Sequence, residues 1–247
     1  MFPNSIELQE DLQQVKTQFR AEISQKDGYI AKASGNDSFV HSSLVLLAAK
    51  LGKYDFSRLR PAAVAVELLD LALREHYQKS DGSPAAEKSN PGSPARQNLL
   101  PDRRDQLSLI RGDHLFARAL NLVAALGDCR VVSLLSQVIA DVSEFQLLEV
   151  HSRHATGLTN QFHKMVSLYV ASAHVGAIMG ELGLATTNTL GDFGLNLGLH
   201  CEAGSCSREN FKVTAKEILQ RLPETQYRSL LENLLGTRDC QKRGFKK

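Results

Sequence analysis

The 247-residue sequence has no excess of charge: 29 Lys and Arg stand against 27 Asp and Glu, a formal balance of +2. Such a balance gives no reason to expect a nucleic-acid partner. Nor is any apolar run long enough for a membrane span. The longest weakly polar stretch, Met165 to Gly180, falls short of the ~20 residues a bilayer requires and carries His174. The opening Met1-Phe2-Pro3-Asn4-Ser5-Ile6-Glu7 lacks the basic region and apolar core of an export signal, so a cytoplasmic location is expected. Cysteine is scarce: Cys129, Cys201, Cys206 and Cys240 are expected to be reduced in that compartment. Cys201 and Cys206, with His200 alongside, make a poor zinc site. Their spacing is loose, no second pair exists, and His200 cannot complete a tetrahedral set alone. Thiols in a helix or loop are the expectation there.

Proline is missing from Asp102 to Leu222, and no stretch alternates with the period of a strand. Both absences favour an all-α fold. There is no strict internal repeat either. What is present is helical periodicity. Leu8, Leu12, Val15, Phe19 and Ile23 recur at steps of three and four, placing them on one face of an amphipathic helix that Asn4 and Glu7 can cap. Ser43 to Leu51 reads as a short apolar helix stopped by Gly52. Pro61 suits the first turn of the next helix, whose stretch Ala62 to Ala72 is apolar nearly all round and should be central. Further helices are expected at about 104–126, 131–151, 160–182, 190–201 and 208–235, the last broken at Pro223. Four of the seven prolines (Pro84, Pro91, Pro94 and Pro101) fall between Asp81 and Asp102, among Gly, Ser and Asn. That stretch reads as a long flexible loop within a single helical domain spanning residues 1–247.

Five stretches then join into a pattern. "LVLLAAKLGKYD" (Leu44 to Asp55), "PAAVAVELLDLALREH" (Pro61 to His76), "LIRGDHLFARALNLVAALGD" (Leu109 to Asp128), "HKMVSLYVASAHVGAIMG" (His163 to Gly180) and "FGLNLGLHCE" (Phe193 to Glu202) occur in this order. In this they resemble the trans-isoprenyl diphosphate synthases, the polyprenyl synthetases. The second is similar to that family's "AAVELIHLATLVHDD", the third to its "ILAGDFLFARAFELLA", the most specific match. The chain's last helices, from Lys216 to Leu235, look like the family's terminal ones. The resemblance implies an all-α, isoprenoid-synthase-type helical bundle around a central cavity, usually dimeric. In active members two aspartate-rich motifs hold Mg2+, which clamps the diphosphate of an allylic substrate as it leaves.

Those motifs are not at their places here. The first should follow His76, where the residues are Tyr77, Gln78, Lys79, Ser80 and Asp81. The second should follow Glu202, where no carboxylate comes before Glu209. The family's basic Gly-Gly-Lys-Arg-Leu-Arg-Pro motif should precede Leu44, yet Asn36 to Ser42 hold no Lys or Arg. The "RLRP" of Arg58 to Pro61 is out of register for it, and Arg58 and Arg60 read as surface residues at a helix entry. Lys164 matches the family's Lys-Thr lysine, with Met165 in place of the threonine, and is the single candidate remnant of a diphosphate site.

Scattered residues do not restore the chemistry. Asp70, Glu75 and Asp81 do not share a helix face at 3.6 residues per turn. Asp113 reads as a structural group, and His76 and His163 as satisfied polar residues at helix ends rather than general bases. Phe145 and Phe162 are candidates to occlude the cavity. No catalytic residue, no metal ligand and no cofactor are therefore expected for this chain alone. The resemblance implies a noncatalytic or regulatory subunit of a polyprenyl diphosphate synthase in isoprenoid (quinone side-chain) biosynthesis. Its partner would be a catalytic synthase chain, or a second copy in a homodimer, meeting the apolar faces of Leu107 to Leu126 and Val131 to Val150. The alternatives are a non-enzymatic binder of an isoprenoid lipid and an active prenyltransferase with an altered site.

Overall fold

The computed structural model describes residues 6–24, 39–77, 100–151, 157–202 and 205–236, and these residues form helices and turns with no strand among them. Helix α1 (Ile6–Ser24) buries Leu8, Leu12, Val15, Phe19 and Ile23, the stripe its periodicity predicts. Asn4 lies outside the described residues. Helix α2 (Val40–Ala49) is buried at all ten of its positions. A short helix with no solvent face gains little from propensity and must be held by its neighbours. Those neighbours are α1, α3 (Phe56–Tyr77), α6 (Gly157–Met179) and α9 (Gln226–Leu234).

Helix α3 is the second central element, buried without a break from Ala62 to Leu73. It begins earlier than expected, so Pro61 lies inside it rather than in its first turn. The cause is a cap on its N-terminal side. Asp55 Oδ1 accepts the Ser57 N–H at 3.0 Å, and the Asp55 carbonyl accepts the Leu59 N–H at 3.0 Å. A cap there opens the helix one and a half turns before the proline. The bond that Pro61 cannot donate falls on Ser57, whose exposed carbonyl side can be served by water.

Helices α4 (Leu100–Ala124) and α5 (Cys129–His151) form a hairpin across the turn at Ala125–Asp128. Asp128 caps α5, accepting the Arg130 N–H at 3.1 Å. Leu100 to Asp102, counted with the proline-rich loop by composition, open α4 instead; Pro101 is tolerated there because the first turn has no use for its missing donor. The remainder of that loop lies outside the described residues. Helix α7 (Leu184–Glu202) packs along α6, and α8 (Ser205–Leu219) packs on α7. Pro223 falls in the connection between α8 and α9, where the chain was expected to break. Among the described residues no helix is long and apolar enough to cross a membrane.

Candidate functional site

The polar groups of the interior gather where α2, α3 and α6 meet. Each is an exception in an apolar helix: His41 and Ser42 in the first turn of α2, Glu67 and Asp70 in the buried run of α3, and Ser172 in α6. Buried polar atoms need partners, and these supply one another. The Ser42 N–H, one of the donors a helix start leaves unpaired, goes to Glu67 Oε1 at 2.7 Å. The Ser42 hydroxyl donates to the Ala63 carbonyl at 2.8 Å. The Ser172 hydroxyl donates to the Leu168 carbonyl at 2.6 Å and lies 3.3 Å from His41 Nδ1. Having spent its one proton, that hydroxyl receives the Nδ1 proton of the ring. In the neutral ring so assigned Nε2 carries no proton, and it lies 3.6 Å from Asp70 Oδ1 without a hydrogen bond. Arg74, one turn along α3, grips the same carboxylate with two bonds, Nε to Oδ2 at 2.9 Å and Nη2 to Oδ1 at 3.1 Å. The Tyr169 ring closes the cluster from α6, its centroid 4.3 Å from that of His41.

Burial pushes the Glu67 carboxyl above its ordinary range, the nearby Asp70 adding to the shift, while His41 and the Ser42 N–H oppose it. The folded chain therefore keeps a proton on Glu67 over a pH range in which the unfolded chain has lost it. The stability this group contributes is complete below the usual glutamate value of about 4.3 and falls as the pH rises through the higher folded value. Glu67→Gln retains the oxygen that accepts from Ser42 and cannot ionise. Its melting temperature plotted against pH should lack that part of the wild-type decline.

A second polar group lies at the α3–α4 contact. Glu75 receives the Ser108 hydroxyl at 3.4 Å and has Arg111 Nη1 at 3.9 Å. His76 stacks on Phe116, with centroids 5.0 Å apart, and has Nε2 3.2 Å from Asp113 Oδ1. Gly112 makes room for this histidine, since a Cβ there would sit 2.2 Å from the ring. Asp70 and Glu75 thus face different neighbours, Asp70 toward α2 and Glu75 toward α4. Lys164 sits on α6, but its side chain, like those of Phe162 and His163, is outside the described residues, and so is Asp81.

Among the described residues no three His, Cys, Asp or Glu side chains are placed to hold one metal ion. The donor set itself does not fit magnesium, which takes carboxylates and water in an octahedral shell. Asp70 is held by a guanidinium, Glu75 stands beside another, and Glu202 receives the Tyr169 hydroxyl at 3.3 Å. Near Cys201 one expectation is corrected. Cys201 is disulfide-bonded rather than a free thiol. Neighbouring His200 lies between two carbonyls, Nδ1 2.9 Å from that of Arg208 and Nε2 3.0 Å from that of Leu235, and its one N–H ties α7 to one of them.

From the sequence Asp70 is excluded as a ligand, but its partners are not foreseen. An i, i+4 Asp–Arg pair was there to be read. His41 and Ser172 were not, although a histidine in "VHSSLVLLAA" is a polar residue in an apolar run.

On the surface the notable feature is apolar. Of nine large hydrophobic side chains exposed among the described residues, five lie on α4 and α5: Leu107, Leu109, Ile110, Leu147 and Leu148. The uncovered apolar surface is therefore concentrated on one hairpin.

No family model matches the chain. It is 25% identical over 182 residues to heptaprenyl diphosphate synthase component 2 of Geobacillus stearothermophilus, covering 69% of this chain and 55% of that protein. It is 31% identical over 100 residues to a prenyl transferase of Cyanophora paradoxa, covering 38% of this chain and 31% of that one. The chain thus spans about half the length of the first relative and a third of the second. In fold it is similar to the decaprenyl diphosphate synthase of Rhodobacter capsulatus, with a TM-score of 0.69 at 20% identity over 96% of this chain and 97% of the other. It is similar likewise to the geranylgeranyl pyrophosphate synthase of Corynebacterium glutamicum, with a TM-score of 0.72 at 15% identity over 96% of each chain. The relatives and the structural neighbours are trans-isoprenyl diphosphate synthases, and the all-α fold is theirs, as the sequence resemblance implied.

Proposed function

We infer that this chain is a noncatalytic subunit of a heteromeric polyprenyl diphosphate synthase. It would act in the cytoplasm, in isoprenoid (quinone side-chain) biosynthesis, beside a catalytic chain that supplies the metal-binding carboxylates. The observation that carries this reading is the state of the last two described acidic residues that precede the position of the first motif on α3. Asp70 is neutralised by Arg74, and Glu75 stands against Arg111, inside a fold that is otherwise the synthase's. A carboxylate already bound to a guanidinium is a poor magnesium ligand, since the metal would have to break a buried pair to reach it. Two further observations support a partner. One relative is named as a component 2, the name of one part of a synthase of more than one component. The exposed apolar residues of α4 and α5 provide a surface for a second chain.

The test is co-expression with a complete synthase from the same genome, followed by purification and assay with Mg2+ and isopentenyl diphosphate. The two chains are expected to purify together, and the complex to differ from the synthase alone in rate or product length. The chain by itself is expected to consume isopentenyl diphosphate at the background rate. Turnover by the isolated chain overturns the reading in favour of an active prenyltransferase. Purification with a bound lipid and no partner overturns it in favour of a lipid binder.

A further inference from the structure

The end of α7 holds α8 and α9 by more than apolar packing. His200 is buried between the carbonyl of Arg208 in α8 and that of Leu235, the C-cap of α9. The next residue, Cys201, keeps 1% of its surface exposed and is disulfide-bonded. Of the three other cysteines Cys129 is free, so the second sulfur belongs to Cys206 or Cys240. Both follow α7 in the sequence. The bond therefore ties α7 to the same part of the chain that His200 meets. Helix α9 in turn packs on α2, the helix with no solvent face. Such a bond is out of keeping with the cytoplasmic setting proposed above. Glutathione and dithiol proteins keep thiols reduced there, and the disulfides that do form are mostly transient, catalytic or redox-sensing.

We propose that the Cys201 disulfide is a reversible redox lock, which fastens α8 and α9 to α7 when closed and lets them loosen when open. It goes beyond the noncatalytic reading and takes from it only the cytoplasmic setting. The reaction is thiol–disulfide exchange with a dithiol reductant. A thiolate of the reductant attacks one sulfur of the bond, and the other sulfur leaves as a thiolate and takes up a proton. The reductant's second thiol then displaces the first sulfur, closing a disulfide of its own. Two electrons and two protons pass to the protein, which ends with two thiols. With the bond open, α7 holds α8 and α9 through noncovalent contacts such as the N–H of His200. With it closed, the unfolded chain has fewer conformations to gain, so the closed form is the more stable one.

The test uses the full chain equilibrated in glutathione buffers that run from oxidised to reduced, with thiols trapped by alkylation and mapped by mass spectrometry. One reversible transition is expected, with Cys201 cross-linked at the oxidised end and alkylated at the reduced end. The reduced chain is expected to melt roughly 5–10 °C lower. Amide exchange in α8 and α9 should quicken at least about tenfold on reduction, while that of the α4–α5 hairpin stays as it was. Cys201→Ala should melt with the reduced form in every buffer, and Cys129→Ser should respond as the wild type does. Should Cys201→Ala fail to fold, the wild-type comparison decides by itself. A bond that excess reduced glutathione leaves closed is a permanent staple and overturns the proposal. So does a Cys201 that is alkylated in every buffer, or a reduction that changes neither melting nor exchange in α8 and α9. These readouts come from the isolated chain, so they can fail while co-purification with a synthase stands, and the reverse.

Discussion

Gly176→Ala is expected to cost about 3 kcal/mol, the upper part of the range for forcing extra atoms into a packed interior. In a chain of this size that is a fall of roughly 6–12 °C in melting temperature. The reason lies in how α2 is held. At Gly176 the backbone of α6 touches that of α2 so closely that a Cβ would sit 2.3 Å from the Val45 carbonyl oxygen and 2.7 Å from the Ala48 Cβ. Neither neighbour can yield by turning a rotamer. The helices would have to separate, and α2 has no exposed side to move toward. Gly183→Ala is the control. Nothing lies within 4 Å of a Cβ there, so its effect should stay within about 0.5 kcal/mol. Thermal unfolding of both variants decides the matter, and equal melting temperatures would mean that α2 and α6 are not in this contact.

The same contact shows what was legible in the sequence. "HVGAIMG" carried Gly176 and Gly180 within a stretch similar to the family's own, and the structure supplies the reason: a larger residue would push α2 off α6. The buried stripe of α1 was legible, because apolar residues at three- and four-residue steps mark one face of a helix. The start of α7 was not. Leu184 to Thr189 is rich in threonine, which weakens a helical reading, yet two of these threonines bond back within the helix. Thr187 Oγ1 donates to the Gly183 carbonyl at 3.1 Å, and Thr189 Oγ1 to the Ala185 carbonyl at 2.9 Å. The site divides similarly. The lack of an acidic motif after His76 is a local fact and was read directly. That Asp70 meets a histidine from another helix depends on how α2 crosses α3, and no spacing along one helix records that.

Converting Ile110 and Leu148 together to lysine is expected to weaken association with the catalytic partner at least about 100-fold while leaving the isolated chain folded. Two charges placed in an apolar interface lose both the packing and their water, and about 2.8 kcal/mol already corresponds to that factor. The free chain has little to lose, since the two side chains are 63% and 56% exposed and surface substitutions of this kind stay within about 0.5 kcal/mol. Each helix buries a separate stripe, Leu115, Ala119 and Val123 on α4 and Val131, Leu135, Val138 and Val142 on α5, which the substitutions do not touch. The measurement is the dissociation constant of the two-chain complex, taken with the melting temperature of the variant alone. If the double variant binds as the wild type does, the partner sits elsewhere. If its melting temperature drops with the affinity, these side chains hold the hairpin together rather than a second subunit. A loss of binding at unchanged melting temperature would identify these exposed residues of α4 and α5 as the place where the chain meets its catalytic partner.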